Sequence, residues 1–486
     1  MKKKLISILR AAAMVMSMAA CGEKEADAPA EGKRTESEVT QGSTEETAES
    51  KELENGRFTE TRQIVVEIYD RGNDGGSAPK NNMYTEYIKK GMLEEHNVEV
   101  TFKKVPRWTE VEELNNLLAA GTAPDICVTY SYPTVLTYAK MGGVIDLKNY
   151  VEDYREEVPN LWNWLGEDNI YWDKNPKDGT LWAIEGKRAE QQRIVPFVRK
   201  DWLEKLNRKE PTTRQEFEDM LVAFQENAEL LLGKDADKMI PFSVSYDIGW
   251  RASNLITSFM DPEITDKEFY VNGFDDRMVT QNGTKEAVRL LNKWYNQGLL
   301  WKDFALYGSG DTTEDDKIKA GYVGAFMQSW DQPFRNGDDS YNANLLRNVG
   351  EDARYVAVDC FENSEGKYAK WLYSSAGDRK IFFPVTNDEP LASLLYLDFI
   401  SKPETIKFLQ AGEEGVTHNV LESGAIEIIA ATGDAIQNSG KNIDYTITCN
   451  GVNFGDEKLA ALSLAYGYAG ADPELVMAAD KIARQD

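Results

Sequence analysis

Two stretches of this 486-residue chain run from an apolar strand straight into aromatic and polar groups. Ile126-Cys127-Val128-Thr129 leads into Tyr130-Ser131-Tyr132-Pro133, and Gly324-Ala325-Phe326-Met327 leads into Gln328-Ser329-Trp330-Asp331-Gln332-Pro333. Similar groups stand elsewhere at strand ends or just ahead of helices: Asp70 with Arg71, Trp108, and Trp250 with Arg251. Rings set beside carboxylates and guanidinium groups suit a polyhydroxylated ligand. The rings cover its C–H faces, and the charged groups bond its hydroxyls. Such a cluster binds without doing chemistry. Each residue also has a plain structural alternative: Trp108 packing on its own helix, Trp250 buried beside a surface Arg251, Asp70 bonding the glycine-rich loop behind it, Arg71 pairing with Asp70.

Composition removes several other chemistries. Only two histidines exist, His96 and His418, which leaves little for a zinc centre or a charge-relay catalyst. A net charge of −27 excludes the basic footprint that nucleic acid requires. Gly-x-Ser-x-Gly, His-Glu-x-x-His and phosphate-loop patterns are absent from the sequence. A mean hydropathy of −0.51 argues against multiple membrane spans.

The N-terminus reads as a secretory leader. Lys2, Lys3 and Lys4 precede an apolar stretch that ends at Met18-Ala19-Ala20-Cys21. This tetrapeptide resembles the bacterial lipobox, in which cleavage precedes a cysteine that becomes lipidated; Met18 in place of leucine and the interrupting Arg10 depart from the usual pattern. The run from Ala11 to Ala20 is half the length a transmembrane helix needs. Residues 1–20 are thus expected as signal peptide, and 21–59 as the lipidated Cys21 and a disordered Glu/Thr/Ser-rich tether. About 35 flexible residues reach ~30–35 Å. Cys127, Cys360 and Cys449 remain, and at most one disulfide can form among three.

Strands and helices must position the binding candidates. Gln63–Tyr69 and Val98–Phe102 read as strands separated by a helix near Tyr84–Glu94. A second helix opens with a capping-box pattern, Thr109-Glu110-Val111-Glu112, and carries Val111, Leu114, Leu117 and Leu118 to Gly121. Later come a strand at Ile194–Val198, a helix capped at Thr213 and another over Lys285–Asn296 closed by Gly298. The alternation predicts an α/β fold with a largely parallel sheet. In such sheets ligands bind beyond the carboxyl ends of the strands, where the candidates lie.

The sequence resembles the bacterial extracellular solute-binding lipoproteins of family 1, the carbohydrate-transporter class, and especially their LipO-like branch. The matching segments are Tyr69–Gly72, Val105–Glu110, Leu117–Ile126 ("LLAAGTAPDI"), Pro196–Leu206 ("PFVRKDWLEKL") with Pro211–Thr213, and Ser401–Val416. The resemblance implies a two-lobe periplasmic-binding-protein-like fold with a ligand cleft between lobes joined by hinge crossings. Combined with the strand reading, it puts lobe 1 at 60–185 with 376–416 and lobe 2 at 186–375 with 417–486. The crossings would fall near Leu181–Val195, Trp371–Pro384 and Gly415–Asn419, the first bringing Arg188 to the cleft. It further implies an oligosaccharide ligand, an ABC permease as partner, membrane contact through the lipid anchor only, and a monomer at the extracellular face of the cell membrane. Many relatives carry an acidic calcium loop after the helix that follows Thr212-Thr213. Here only Asp235 and Asp237 offer oxygens, so no metal or cofactor is expected. The competing functions are a glycan-hydrolysing surface lipoprotein, which needs two facing carboxylates, and a ligand-sensing co-receptor on the same fold. Charge alone does not name the sugar, because local cleft charge can oppose the net charge.

Overall fold

The computed structural model describes residues 53–72, 76–245, 247–259, 282–308, 310–361 and 373–484. The expected leader, Cys21 and the tether as far as residue 52 lie outside the described residues. The end of the expected tether does not continue as coil. Leu53–Glu54 pairs antiparallel with Arg57–Phe58, and Phe58 is buried. Asn55 and Gly56, both at positive φ, make the turn. Asn-Gly is the strongest short hairpin signal, and here it outweighs the polar composition around it.

From Arg62 onward the chain builds two α/β cores. In the first, β1 (Arg62–Asp70) and β2 (Val98–Pro106) pair in parallel, linked by α1 (Met83–His96). Asn82 caps α1: its side chain accepts from the amides of Tyr84 and Thr85, and its own amide donates to the Thr85 hydroxyl. After β2, Arg107–Thr109 winds as a 3-10 turn into α2 (Glu110–Ala119). The expected capping box is not formed there. Thr109 makes no side-chain cap, and Glu110 is instead drawn to Arg107 (3.0 Å) and the Thr129 hydroxyl (2.8 Å), tying the helix to the next strand. That strand, β3 (Cys127–Thr129), meets β1 in parallel at the Val66–Ile126 bridge and turns at once into α3 (Tyr132–Lys140).

The sheet is mixed, not largely parallel. Beyond β3 come β4 (Ile184–Glu185) and β9 (Lys380–Phe382), with β9 antiparallel to both β3 and β4. The second sheet has the order β8 (Tyr355–Ala357), β5 (Ile194–Arg199), β7 (Val323–Ser329), β6 (Ile240–Ser243); β6 and β7 are its one parallel neighbouring pair, and β5 runs against the other three. The reversed strands are β5 in the second sheet and β9 in the first, each where the chain enters that core. A strand that carries the chain across has no crossover helix to fix its direction.

Each sheet buries its faces. Ile64, Val66, Ile88, Met92, Leu395 and Ile381 are among the residues of the first core. Along β5, Ile194 and Val198 face one side with Trp202, Phe217 and Trp294, while Val195 and Phe197 face the other with Phe326, Trp330 and Tyr355. The alternation is the two-residue period of a strand covered on both faces. The C-terminal region departs from expectation. Gly415–Asn419, expected as a crossing, opens an antiparallel hairpin, His418–Val420 against Ile426–Ile428. Tyr445 and Ile447, expected in the second lobe, belong to the first core, because that is where their apolar surface finds burial. Tyr468 and the helix Pro473–Arg484, through Val476, Ala479 and Ala483, pack on the second core.

Candidate functional site

A cleft of about 840 Å³ is lined by residues from both cores, and seven of the ten expected binding residues reach it: Arg71, Trp108, Arg188, Trp250, Arg251, Trp330 and Asp331. On the first wall, the turn after β1 presents Arg71. Its guanidinium donates two parallel hydrogen bonds to Asp444, Nε to Oδ2 at 2.7 Å and Nη2 to Oδ1 at 2.9 Å. Burial alone would raise the Asp444 carboxyl, but Arg71 and then Arg379 hold it below the usual range. Trp108 stands on the 3-10 turn after β2 and is 41% exposed. Its indole N–H donates to the Arg71 carbonyl at 3.3 Å. Gly310, from the other side of the cleft and at φ +85°, lies against the same ring: a methyl group there would sit 2.8 Å from Trp108 Cδ1.

The second wall is built differently. β7 ends at Ser329, and Trp330 follows with only 2% exposure, edge-on to Tyr468 at 6.0 Å. Asp331 accepts from Arg335 Nε (2.9 Å) and Nη2 (2.7 Å) and from the Tyr468 hydroxyl (2.9 Å). Burial works to raise this carboxyl, yet Arg335 and Lys441 overcome it and hold it down at about 2. Lys441 Nζ bonds Glu190 at 2.6 Å and the Tyr468 hydroxyl at 2.7 Å. Further along, Asp247 caps the short helix Ile248–Arg251 by accepting from the Trp250 amide at 3.1 Å. Trp250 is half-buried, and the buried Arg251 guanidinium lies 5.0 Å from its ring centre. Glu314 accepts from the Ser243 hydroxyl and from the Ser245 amide, and Asp315 from the Tyr341 hydroxyl. Burial raises both carboxyls against the pull of the Arg251 charge.

At the base of the cleft, Arg188 donates to Asp378 Oδ1 from Nε (3.1 Å) and Nη2 (2.7 Å), and its guanidinium lies 3.8 Å from the Tyr373 ring centre. Asn450 donates to the same oxygen at 3.1 Å, and Lys187–Arg188 pairs in parallel with Cys449–Asn450. Three distant chain segments are therefore tied at one carboxylate.

Three expected residues lie elsewhere. Asp70 accepts from the Gly72 amide (3.2 Å) and pairs with Lys104. Tyr130 folds back to stack on Tyr69, with ring centres 6.3 Å apart, and lies 4.5 Å from the Arg107 guanidinium. The Tyr132 hydroxyl donates to the Asp173 carbonyl at 3.0 Å. The reason is the abrupt turn after β3: Ser131 caps α3, so both tyrosines are carried onto the first lobe. The sequence reading missed Glu190, Lys441, Tyr468 and Arg335. Glu190 had a faint signal, since Glu190-Gln191-Gln192-Arg193 is a polar run directly ahead of β5. In the region weighed for calcium, Asp235 pairs with Lys238 at 2.8 Å. Among the described residues no cluster of three or more His, Cys, Asp or Glu is placed to hold a metal ion.

Comparison with known proteins gives consistent matches. The profile of a family described as bacterial extracellular solute-binding protein matches residues 86–439. Over 334 residues the chain is 27% identical to the polygalacturonan/rhamnogalacturonan-binding protein YtcQ of Bacillus subtilis (strain 168), covering 66% of this chain and 61% of that relative. The match thus spans less than two thirds of that relative's length. Similar solved structures include the S. pneumoniae ABC-transporter substrate-binding protein FusA in complex with kestose, with a TM-score of 0.61, 14% identity and coverage of 87% of this chain and 83% of that one. The alginate-binding protein AlgQ2 without calcium ion gives a TM-score of 0.59 at 16% identity, covering 86% and 81%. At these identities the likeness is one of fold: two α/β lobes with a cleft between them.

Proposed function

We propose a function on one premise: the chain belongs to the bacterial extracellular solute-binding protein family. In this two-lobed, periplasmic-binding-protein-like molecule, the cleft captures an oligosaccharide and the closed form delivers it to an ABC permease. The observation that carries this reading is the composition of the cleft. Trp108 and the half-buried Trp250 offer ring faces from opposite walls, beside guanidinium groups and carboxylates that suit sugar hydroxyls. Ligand contacts made by both walls stabilise the closed arrangement relative to the open one, which is the form a permease distinguishes.

The protein binds its sugar without cleaving it. The wall carboxylates support this, since Asp331 is bound to Arg335 and Tyr468, and Glu314 to Ser243 and Ser245. A monomer held to the outer face of the cell membrane through a lipid on Cys21, after removal of residues 1–20, completes the proposal; the lipobox-like Met18–Cys21 supports it. A thermal-melt screen against oligosaccharides tests the capture step. A ligand at 100 times its Kd adds ~2.7 kcal/mol, and mass spectrometry of the recovered sugar should find it unshortened. No rise with any sugar, or shortened products, would overturn the reading.

A further inference from the structure

We infer that the oligosaccharide is neutral, not a uronate polymer; this rests on the proposed capture function and narrows it. Recognition of a sugar carboxylate calls for a cation with donors to spare, above all an arginine fork facing the ligand. In this cleft three of the four arginine forks are engaged by carboxylates, and the fourth, Arg251, is buried where its charge acts on Glu314 and Asp315. Arg71 gives Nε and Nη2 to Asp444, Arg335 gives the same pair to Asp331, and Arg188 gives them to Asp378, all within 2.7–3.1 Å. Lys441 is held by Glu190 at 2.6 Å.

The count of charges points the same way. The lining holds six arginine or lysine residues and eight aspartate or glutamate residues. Burial pushes Glu314 and Asp315 toward their neutral forms. Even if both were neutral, the signs in the lining would only balance, and behind it two carboxylates, Asp378 and Asp444, stand against one further cation, Arg379. A uronate chain brings one carboxylate per residue into that field and loses hydration there without a new cationic partner. A neutral chain meets the opposite situation. The exposed carboxylates of the lining, Asp311, Asp316 and Asp338, keep lone pairs for sugar hydroxyls, and the indole rings offer faces to its C–H groups.

The test compares the full chain with two sets of tetra- to hexasaccharides in thermal melts and calorimetry. One set is neutral (glucan, mannan, xylan, galactan and fructan), and the other is uronate (galacturonate and mannuronate/guluronate). At least one neutral member should raise Tm, with an affinity that changes less than about twofold when salt rises from about 50 to about 500 mM, because no ligand charge is there to be screened. The uronates should leave Tm unmoved. A rise with any uronate would overturn the inference and leave oligosaccharide capture standing. Silence toward both sets would overturn both.

Discussion

The two walls of the cleft use the same residue types in opposite ways. On the first wall, Trp108 stands 41% exposed on a turn, donating one hydrogen bond to the Arg71 carbonyl with the Arg107 guanidinium 5.4 Å from its ring centre. On the second, Trp330 is 2% exposed and is part of a hydrophobic core with Phe326, Phe334 and Tyr355. Below it Asp331, Arg335, Lys441, Glu190 and Tyr468 form a connected set of ion pairs and hydrogen bonds. A tryptophan at a strand end is therefore not one kind of object. A 3-10 turn lies at each of these strand ends, and the difference is what covers the ring: Trp330 has Tyr468 and the second core against it and helps to hold the wall, whereas Trp108 stays exposed to a ligand.

Substitutions should separate the two walls. Trp330→Ala is expected to have the largest effect, removing ~3–5 kcal/mol of stability, the usual range for emptying a buried tryptophan site, along with ligand binding. Urea unfolding that leaves the midpoint in place would erase the distinction drawn here. Asp331→Asn comes next, at ~1.5–3 kcal/mol for losing charge-assisted hydrogen bonds. It also carries a pH signature. The folded carboxyl titrates at about 2, below its ordinary 3.8, so its contribution is complete above pH 3.8 and lost as pH falls toward 2. The wild type should show this acid limb in melts from pH 5 to about 2, and the variant should lack that share of it. Trp108→Ala should have the smallest effect on stability, within ~0.5 kcal/mol, yet weaken sugar binding roughly tenfold, or ~1.4 kcal/mol. If calorimetry found binding unchanged while the melt shifted, the first wall would resemble the second.

Local pattern carried much of this to the sequence level. The helix Met83–His96 with its flanking strands, and the strand Val323–Ser329 running into Trp330-Asp331, follow from apolar spacing and turn residues. What stayed hidden depends on distant partners. Arg71 meets Asp444, 373 residues away, in place of its neighbour Asp70. Arg188, Asp378 and Asn450 converge on one oxygen from three separate segments. Tyr130 and Tyr132 stand outside the cleft lining for a local reason: Ser131 starts a helix with no intervening loop, and the rings go with it. Near 415 a glycine-containing turn reads the same whether the chain then crosses to another lobe or, as here, opens a hairpin.

The contact between Gly310 and Trp108 has a thermodynamic consequence. The Cδ1–Nε1 side of the indole is already approached by the protein's own backbone, at a position where φ +85° favours glycine. Gly310 is thus a tethered competitor, present at an effective concentration fixed by the chain rather than by the medium. The measured affinity for any sugar that must displace Gly310 from this side of the ring is its intrinsic affinity scaled by the fraction of time that side stands uncovered. Ligands with a single weak stacking contact lose that contest, and those that also engage the second wall win it.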